Sequence, residues 1–297
     1  MIVLFEGTYV VIVTPFTKED DVDLDSLGSN LEFYLKNGVH GVAVGGSTGE
    51  FSALTLEEHK KIIKKTVDVV NNRVPVIAGT AACSTKRVIE LNQYAKDVGA
   101  DGSLIVPPFY SKIKDDEVYH HFKKIAESVD LPIMIYNNPF TSKIDMSPEF
   151  LAKLAKIDNL DYVKESSGDI ARVWRIRQLT EDSMTVFCGA DNLALEQFVM
   201  GAKGWICVAA NIFPKETSRL YEYAKTGEYE KAKELYSGLL PLSNFLEGTG
   251  KFTQVAKYGL DILDQNGGES RAPFLPLTEE LKKQTRDIME DIQALNI

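Results

Sequence analysis

The chain has 297 residues, 44% of them hydrophobic, and a formal net charge of −10. This length suffices for one large single-core domain or for two ordinary ones. The acidic balance argues against nucleic acid or an anionic membrane surface as a partner, since both reward clustered Lys and Arg, and favours a small molecule or a protein.

Short β-rich runs alternate with longer helical patterns up to residue 214. Several runs are continuously apolar, as expected of parallel strands covered on both faces. Between them, Thr55 with Glu58 predicts a capping box, and Ser147 with Pro148 predicts a helix start. The predicted strands are 8–14, 41–45, 74–79, 102–106, 132–136, 162–164, 185–188 and 204–208.

Eight such βα units without a Pro/Gly/Ser-rich linker predict an α/β fold, a closed (β/α)₈ TIM barrel over residues 1–214. A doubly wound open sheet is the alternative. After residue 214 the strand signals stop, and 215–297 predicts a C-terminal helical region broken at glycines such as those of 248–250. We expect this region to pack on the barrel within a single-domain protein.

The cysteines and the first residues of the chain indicate the cellular compartment of the protein. The three cysteines, at positions 83, 188 and 207, are widely separated, which predicts neither a zinc site nor a disulfide framework and fits a reducing cytoplasm. The start of the chain, residues 1–7, lacks the basic residues and cleavage site of a secretion signal. No segment approaches the ~18 apolar residues of a membrane span, so we expect a cytoplasmic protein without a membrane partner.

Lys164 and Tyr136 end two predicted strands, where a barrel places its active residues. Partial burial at an apolar strand end favours the neutral amine over the ammonium ion, and a neutral amine can attack a ketone to form a Schiff base. A strand-end tyrosine can shuttle protons, although packing is its commoner role. The pair therefore indicates Schiff-base chemistry.

A glycine-rich loop, residues 45–50, follows the second predicted strand. Gly46, Ser47 and Thr48 within it can aim backbone N–H groups and hydroxyls at one carboxylate. The loop lacks the Gly-Lys-Ser/Thr of a phosphate loop. With Lys164 it supplies what condensation with a 2-oxo acid requires, and the iminium acts as the electron sink, so we predict neither a metal nor an organic cofactor.

Two adjacent histidines, His120 and His121, are the remaining candidates for metal binding. Neighbouring residues on a helix point about 100° apart, which predicts a surface position rather than a shared metal.

Five motifs in this order resemble those of the dihydrodipicolinate synthase and N-acetylneuraminate lyase family of class I Schiff-base aldolases. The resemblance runs from Gly7 to about residue 214, with echoes at 271–273 and 275–277. The motifs are Gly-Gly-Ser-Thr-Gly-Glu (45–50), Pro-Pro-Phe-Tyr (107–110), Tyr-Asn-Asn-Pro (136–139), Lys-Glu-Ser-Ser-Gly (164–168) and Gly-Ala-Asp (189–191).

The resemblance implies that Lys164 forms an imine with pyruvate or a related 2-oxo acid. Ser47 and Thr48 would hold the carboxylate, and Ser47 would link Tyr136 to a proton relay that Tyr110 of a neighbouring subunit completes. The family usually assembles as a homotetramer built as a dimer of dimers. The other substrate-binding positions implied are Gly46, Thr141, Ser166, Gly189, Asp191, Asn192 and Ile206, the last through its carbonyl.

Departures from the family pattern bear on the substrate. Thr141 stands where lysine-pathway synthases carry an arginine for the aldehyde's carboxylate, and threonine cannot make that bidentate pair. Lys143 is the nearest substitute cation. Ala209 stands where sialic acid lyases carry a serine, although Asp191 and Asn192 could bind a polyol chain.

The family's allosteric pocket for lysine is also altered. The matching positions carry Leu56, Cys83, Arg87 and Phe109. A cationic amino acid would be repelled by Arg87, which predicts no feedback by lysine.

The leading hypothesis is a lyase that makes or breaks the C–C bond next to a pyruvoyl unit of a hydroxylated 2-oxo acid. A dehydratase or deaminase of a sugar acid or a hydroxyproline-derived ring would use the same imine, and an authentic synthase of the lysine pathway is a third possibility. A non-catalytic binding or regulatory barrel is disfavoured because Lys164, Tyr136 and Tyr110 are all present.

Overall fold

Eight parallel strands close into a barrel in chain order in the computed structural model, which describes residues 5–294. Residues 1–4 belong to the N-terminal segment that is predicted not to be a secretion signal, and they lie outside the described residues. The predicted TIM barrel is confirmed, although the first predicted strand was three residues too long. The strands are β1 (Gly7–Val11), β2 (Gly41–Val44), β3 (Val76–Gly79), β4 (Gly102–Ile105), β5 (Ile133–Asn137), β6 (Tyr162–Glu165), β7 (Thr185–Cys188) and β8 (Gly204–Cys207).

Helices separate the strands and cover the barrel. The capping box of Thr55 and Glu58 is confirmed, as are the Ser147 cap and Pro148 at the first helical position. The helices are α1 (Leu24–Lys36), α2 (Leu56–Val70), α3 (Thr85–Asp97), α4 (Asp115–Ser128), α5 (Pro139–Ser142), α6 (Pro148–Leu154), α7 (Ala171–Thr180), α8 (Ala194–Val199), α9 (Pro214–Lys225), α10 (Tyr229–Thr249), α11 (Phe252–Ile262) and α12 (Glu279–Ala294).

The barrel interior is filled by side chains. Tyr9 and Phe187 meet there edge to face, with ring centroids 5.6 Å apart. Gly41 leaves room for the tyrosine ring, since a Cβ at that position would lie 2.1 Å from Tyr9 Cε1. The filled interior confines any ligand to a rim of the barrel.

The C-terminal helices form the predicted extension. Helix α9 packs against β1 and α8, so it completes the ring of barrel helices, and α10 to α12 pack on one another beyond it. These contacts end the ring at Lys225 rather than at residue 214; the division into barrel and C-terminal region remains a proposal. None of the described helices is long and apolar enough to cross a membrane.

The predicted surface position of His121 is wrong. The side chain is buried on α4, with Nδ1 2.9 Å from the Thr85 hydroxyl, and burial lowers its pKa to about 4. His120 is exposed. Among residues 5–294 no three His, Cys, Asp or Glu side chains gather where they could hold a metal ion.

Candidate active site

Lys164 and Tyr136 lie side by side, because β5 and β6 pair them in register. Lys164 Nζ is 4.0 Å from the centre of the Tyr136 ring, and the lysine is 5% exposed. Among the described residues the amine has no carboxylate partner within ion-pair distance. The arrangement presents an amine that is sheltered from water, as a nucleophilic lysine requires.

Asn138 sets the orientation of the Tyr136 hydroxyl. Its Oδ1 accepts a hydrogen bond from the Thr141 N–H at 3.2 Å, so its Nδ2 is the group that donates to the Tyr136 oxygen at 2.9 Å. The tyrosine therefore accepts on one side and keeps its own proton free to donate. The expected link from Ser47 to Tyr136 does not occur as a hydrogen bond within residues 5–294, where the tyrosine pairs with Asn138.

The Gly-Gly-Ser-Thr-Gly-Glu loop is held in a left-handed turn at Gly45, where φ is +70°. A Cβ on the neighbouring Gly79 would lie 2.2 Å from the Gly45 carbonyl oxygen, so close approach of β3 requires glycine there. His59 supports the contact through Nε2, 2.7 Å from the Gly79 carbonyl. Burial lowers the pKa of His59 to about 4, so the ring is neutral and donates this bond.

Glu50 ties the same loop to the C-terminal region. Its Oε1 lies 2.5 Å from Lys257 Nζ of α11, and both side chains are buried. Its Oε2 accepts a hydrogen bond from the Arg271 backbone N–H at 2.9 Å. A buried carboxylate with a partner at each oxygen fixes the loop's position, and removal of Lys257 would leave the buried charge of Glu50 unpaired.

A cavity of about 530 Å³ opens at the carboxyl ends of the strands. Eight of the twelve predicted site residues line it, which puts the candidate nucleophile, the proton shuttle and the carboxylate loop in one space. These eight are Ser47, Thr48, Tyr136, Thr141, Lys164, Ser166, Gly189 and Asn192.

Three of the other predicted residues do not line this cavity. Gly46 belongs to the loop but does not line the cavity. The Ile206 side chain packs in the barrel interior, and Val208 lines the cavity on that side. Tyr110 is 90% exposed on the chain surface. One chain therefore does not bring Tyr110 to Lys164.

Asp191, predicted to contact substrate, does not line the cavity. The carboxylate is buried and faces the end of β8, accepting hydrogen bonds from Trp205 Nε1 at 2.9 Å and from the Ala209 N–H at 2.7 Å. Burial, with the nearby charge of Glu247, raises its pKa to about 7. The Asp191 carboxylate therefore links the end of β7 to the end of β8.

Sequence reasoning missed Phe140 of α5 and the residues that reach the cavity from the C-terminal helices. Glu247 of α10 is one, and its Oε1 accepts a hydrogen bond from the Asp191 N–H at 3.1 Å. No strand signal marks this region, so no spacing pointed to it. Lys143, the predicted substitute cation, turns away, because its Nζ donates to the Phe140 carbonyl at 2.7 Å and does not line the cavity.

Comparison with known proteins bears on this geometry. The model of the dihydrodipicolinate synthetase family matches residues 4–292. The chain belongs to this family. Membership confirms the resemblance seen in the motifs and makes the chain an enzyme, a lyase of the aldolase type.

The relatives and solved structures agree along almost the whole chain. The 4-hydroxy-tetrahydrodipicolinate synthase of Methanocaldococcus jannaschii is 40% identical over 292 residues, which cover 97% of this chain and 99% of that one. Its counterpart in Syntrophobacter fumaroxidans is 36% identical over 296 residues, 99% of this chain and 100% of that one. The structure of the chloride-inhibited dihydrodipicolinate synthase of Acinetobacter baumannii, in complex with pyruvate, superposes with a TM-score of 0.94 at 36% identity, covering 98% of this chain and 99% of that one.

A second cavity has a volume of about 400 Å³. It is lined by the four residues that the sequence analysis matched to the family's allosteric pocket for lysine. Leu56, Cys83, Arg87 and Phe109 line it together with His59. The Arg87 guanidinium lies 3.6 Å from the Glu90 carboxylate on the same helix.

We expect Gly189→Ala to displace Lys164. A Cβ there would lie 1.9 Å from Ser166 Oγ and 2.8 Å from Lys164 Cε, so both side chains would have to move. Because misplacement of a reacting group by 1 Å costs about 10²-fold, kcat/KM of the lyase reaction should fall by that order in the folded variant. Gly248→Ala, which adds a methyl into open space on α10, is the matched control. Equal rates for the two variants would contradict the prediction.

Proposed function

We propose that this enzyme is a Schiff-base lyase in which Lys164 forms an imine with pyruvate or a related 2-oxo acid, and the adjacent C–C bond is made or broken. The observation that supports it most is the sheltered Lys164 amine, 4.0 Å from the Tyr136 ring centre, in one cavity with Ser47 and Thr48. A related solved structure that holds pyruvate favours the same keto acid here.

The residues divide the chemistry as follows. The Lys164 amine attacks the C2 carbonyl, and loss of water leaves an iminium that withdraws electrons from C3. Ser47 and Thr48 hold the carboxylate. Tyr136 gives up and regains the protons that the carbinolamine and the enamine exchange. The iminium is the electron sink, so the proposal includes neither a metal nor an organic cofactor.

The second reactant is best matched by an uncharged hydroxylated aldehyde. Thr141 lines the cavity where a guanidinium would be needed for a carboxylate, and Lys143 is turned away from it. Among the described residues that line the cavity, Lys164 is the one cation, and its positive charge is committed to the iminium formed with the 2-oxo acid.

Authentic 4-hydroxy-tetrahydrodipicolinate synthase is the second candidate. The names of relatives that are 36–40% identical over nearly the whole chain favour it. Dehydration or deamination through the same imine is the third. Incubation with borohydride and pyruvate, followed by screening of aldehydes and product analysis, separates them: aldol cleavage releases pyruvate plus an aldehyde, whereas elimination releases water or ammonia.

We further propose a cytoplasmic homo-oligomer, a tetramer built as a dimer of dimers. The cysteines are unpaired, as in a reducing compartment. Tyr110 is exposed beside Phe109, whose ring meets that of Phe51 at 5.8 Å just after the carboxylate loop. An exposed tyrosine at that place suits insertion into a neighbouring subunit, and the exposed Trp174 offers apolar surface for a second interface.

We expect Tyr110→Phe to lower kcat by roughly 10²-fold, as loss of a relay hydroxyl does, only if Tyr110 reaches a neighbouring site. Mixing Tyr110→Phe subunits with Lys164→Ala subunits should then restore activity above that of either alone, because one hybrid site carries both intact residues. Native mass spectrometry verifies that hybrids form. Hybrids without recovered activity would remove Tyr110 from the relay.

A further inference from the structure

Glu247 is the one carboxylate among the described residues that line the cavity, and Lys164 is the one cation. Glu247 comes from α10, close to its C-terminal end, whereas Lys164 comes from β6. A charged group that faces a substrate cavity affects which second reactant can enter.

The Glu247 side chain is held at one oxygen and open at the other. Oε1 accepts the Asp191 N–H at 3.1 Å, and Asp191 is itself fixed by Trp205 and the end of β8. Oε2 accepts no hydrogen bond from any residue in 5–294. The carboxylate is thus positioned by the barrel while one oxygen can accept from a ligand.

An uncharged polar side chain, Asn192, also lies next to Glu247. Asn192 lines the cavity and donates through Nδ2 to Asn244 Oδ1 at 3.1 Å, one turn before Glu247 on α10. The side-chain oxygen of Asn192, Oδ1, accepts no hydrogen bond within residues 5–294 and is a second free acceptor. Two free acceptors in a cavity call for donors on the ligand, and hydroxyl groups are donors that carry no charge.

We propose that Glu247 determines specificity: with Asn192 it accepts hydrogen bonds from the hydroxyls of a neutral hydroxyaldehyde, and its charge disfavours an aldehyde that bears a carboxylate. This inference rests on the proposed Schiff-base function. An anionic aldehyde would meet a like charge without the bidentate cation that would offset it.

Three small aldehydes separate the two effects. With pyruvate as the first substrate, kcat/KM is compared for glyceraldehyde, for propionaldehyde, which lacks the hydroxyls, and for succinic semialdehyde, which carries a carboxylate. The wild type should prefer glyceraldehyde over both. Glu247→Gln should lower the preference for glyceraldehyde over propionaldehyde about 10-fold, the scale of losing a hydrogen bond to a charged group. It should also raise the relative rate with succinic semialdehyde.

Glu230→Gln is the matched control, because it removes the same charge from an exposed position on α10. Its ratios should equal those of the wild type. Glu247→Asp keeps the charge with a shorter reach, so it should still discriminate against succinic semialdehyde while losing preference for glyceraldehyde, and it serves as the test if Glu247→Gln does not fold.

Borohydride trapping of the pyruvate imine distinguishes the two levels of failure. If the wild type forms no adduct, the proposed function fails. If every variant forms the adduct but Glu247→Gln leaves both ratios unchanged, only the role of Glu247 is overturned. A wild type that forms the adduct and prefers succinic semialdehyde would overturn the hydroxyaldehyde class itself.

Discussion

We expect Lys164→Ala to abolish imine formation with pyruvate and all turnover. The physical reason is that Lys164 is the amine in the cavity that faces the Tyr136 ring, and alanine offers no nucleophile. Borohydride reduction in the presence of pyruvate, followed by intact-mass and peptide analysis, measures it: the wild type gains one pyruvate-derived mass on Lys164, and the variant gains none.

Two further variants make this result specific. Lys164→Met retains an unbranched side chain of similar length, so it separates loss of the amine from loss of packing against Gly189. Lys143→Ala removes a lysine that points away from the cavity and should trap pyruvate as the wild type does. A pyruvate adduct in Lys164→Ala, or full turnover without Lys164, would contradict the proposed Schiff-base mechanism.

Tyr136→Phe should slow turnover by roughly 10²-fold or more, the scale of a positioned acid-base group, while the imine still forms. The ring that faces Lys164 remains, and the lost hydroxyl is the one whose proton Asn138 leaves free to donate. Exchange of the pyruvate methyl protons with deuterated solvent, followed by NMR, reports the imine-to-enamine step directly. That exchange should fall in parallel with kcat.

Tyr119→Phe, which removes a hydroxyl from the half-buried Tyr119 on α4, is the control for the loss of a tyrosine oxygen elsewhere. It should exchange protons at the wild-type rate. If Tyr136→Phe also exchanges at that rate, the proton shuttle is another group.

The barrel and the centre of its site could be predicted because both follow from local patterns. Apolar runs of strand length, each followed by a helical period, define the eight units, and closure brings their carboxyl ends to one rim. Lys164 and Tyr136 end neighbouring strands and therefore had to lie close together. Their pairing in register confirms that expectation.

Side-chain direction after a strand end could not be predicted in the same way. Asp191 and Asn192 are adjacent in the sequence, yet the turn at 191–193 aims the aspartate at Trp205 and leaves the asparagine in the cavity. The sequence patterns did not indicate Glu247, for a different reason. It reaches the site from a helix whose packing depends on contacts distant along the chain, and no short-range period records such contacts.

The buried Glu50 has a consequence for how this protein could be divided. A shortened chain that stopped at Lys225 would retain every strand and the whole ring of barrel helices, yet it would lack both Lys257 and Arg271. The loop that we propose holds the substrate carboxylate would then carry the uncompensated negative charge of Glu50. On the proposed role of this loop, the C-terminal helices contribute to substrate binding, and a C-terminal region taken from another protein would have to supply both partners of Glu50.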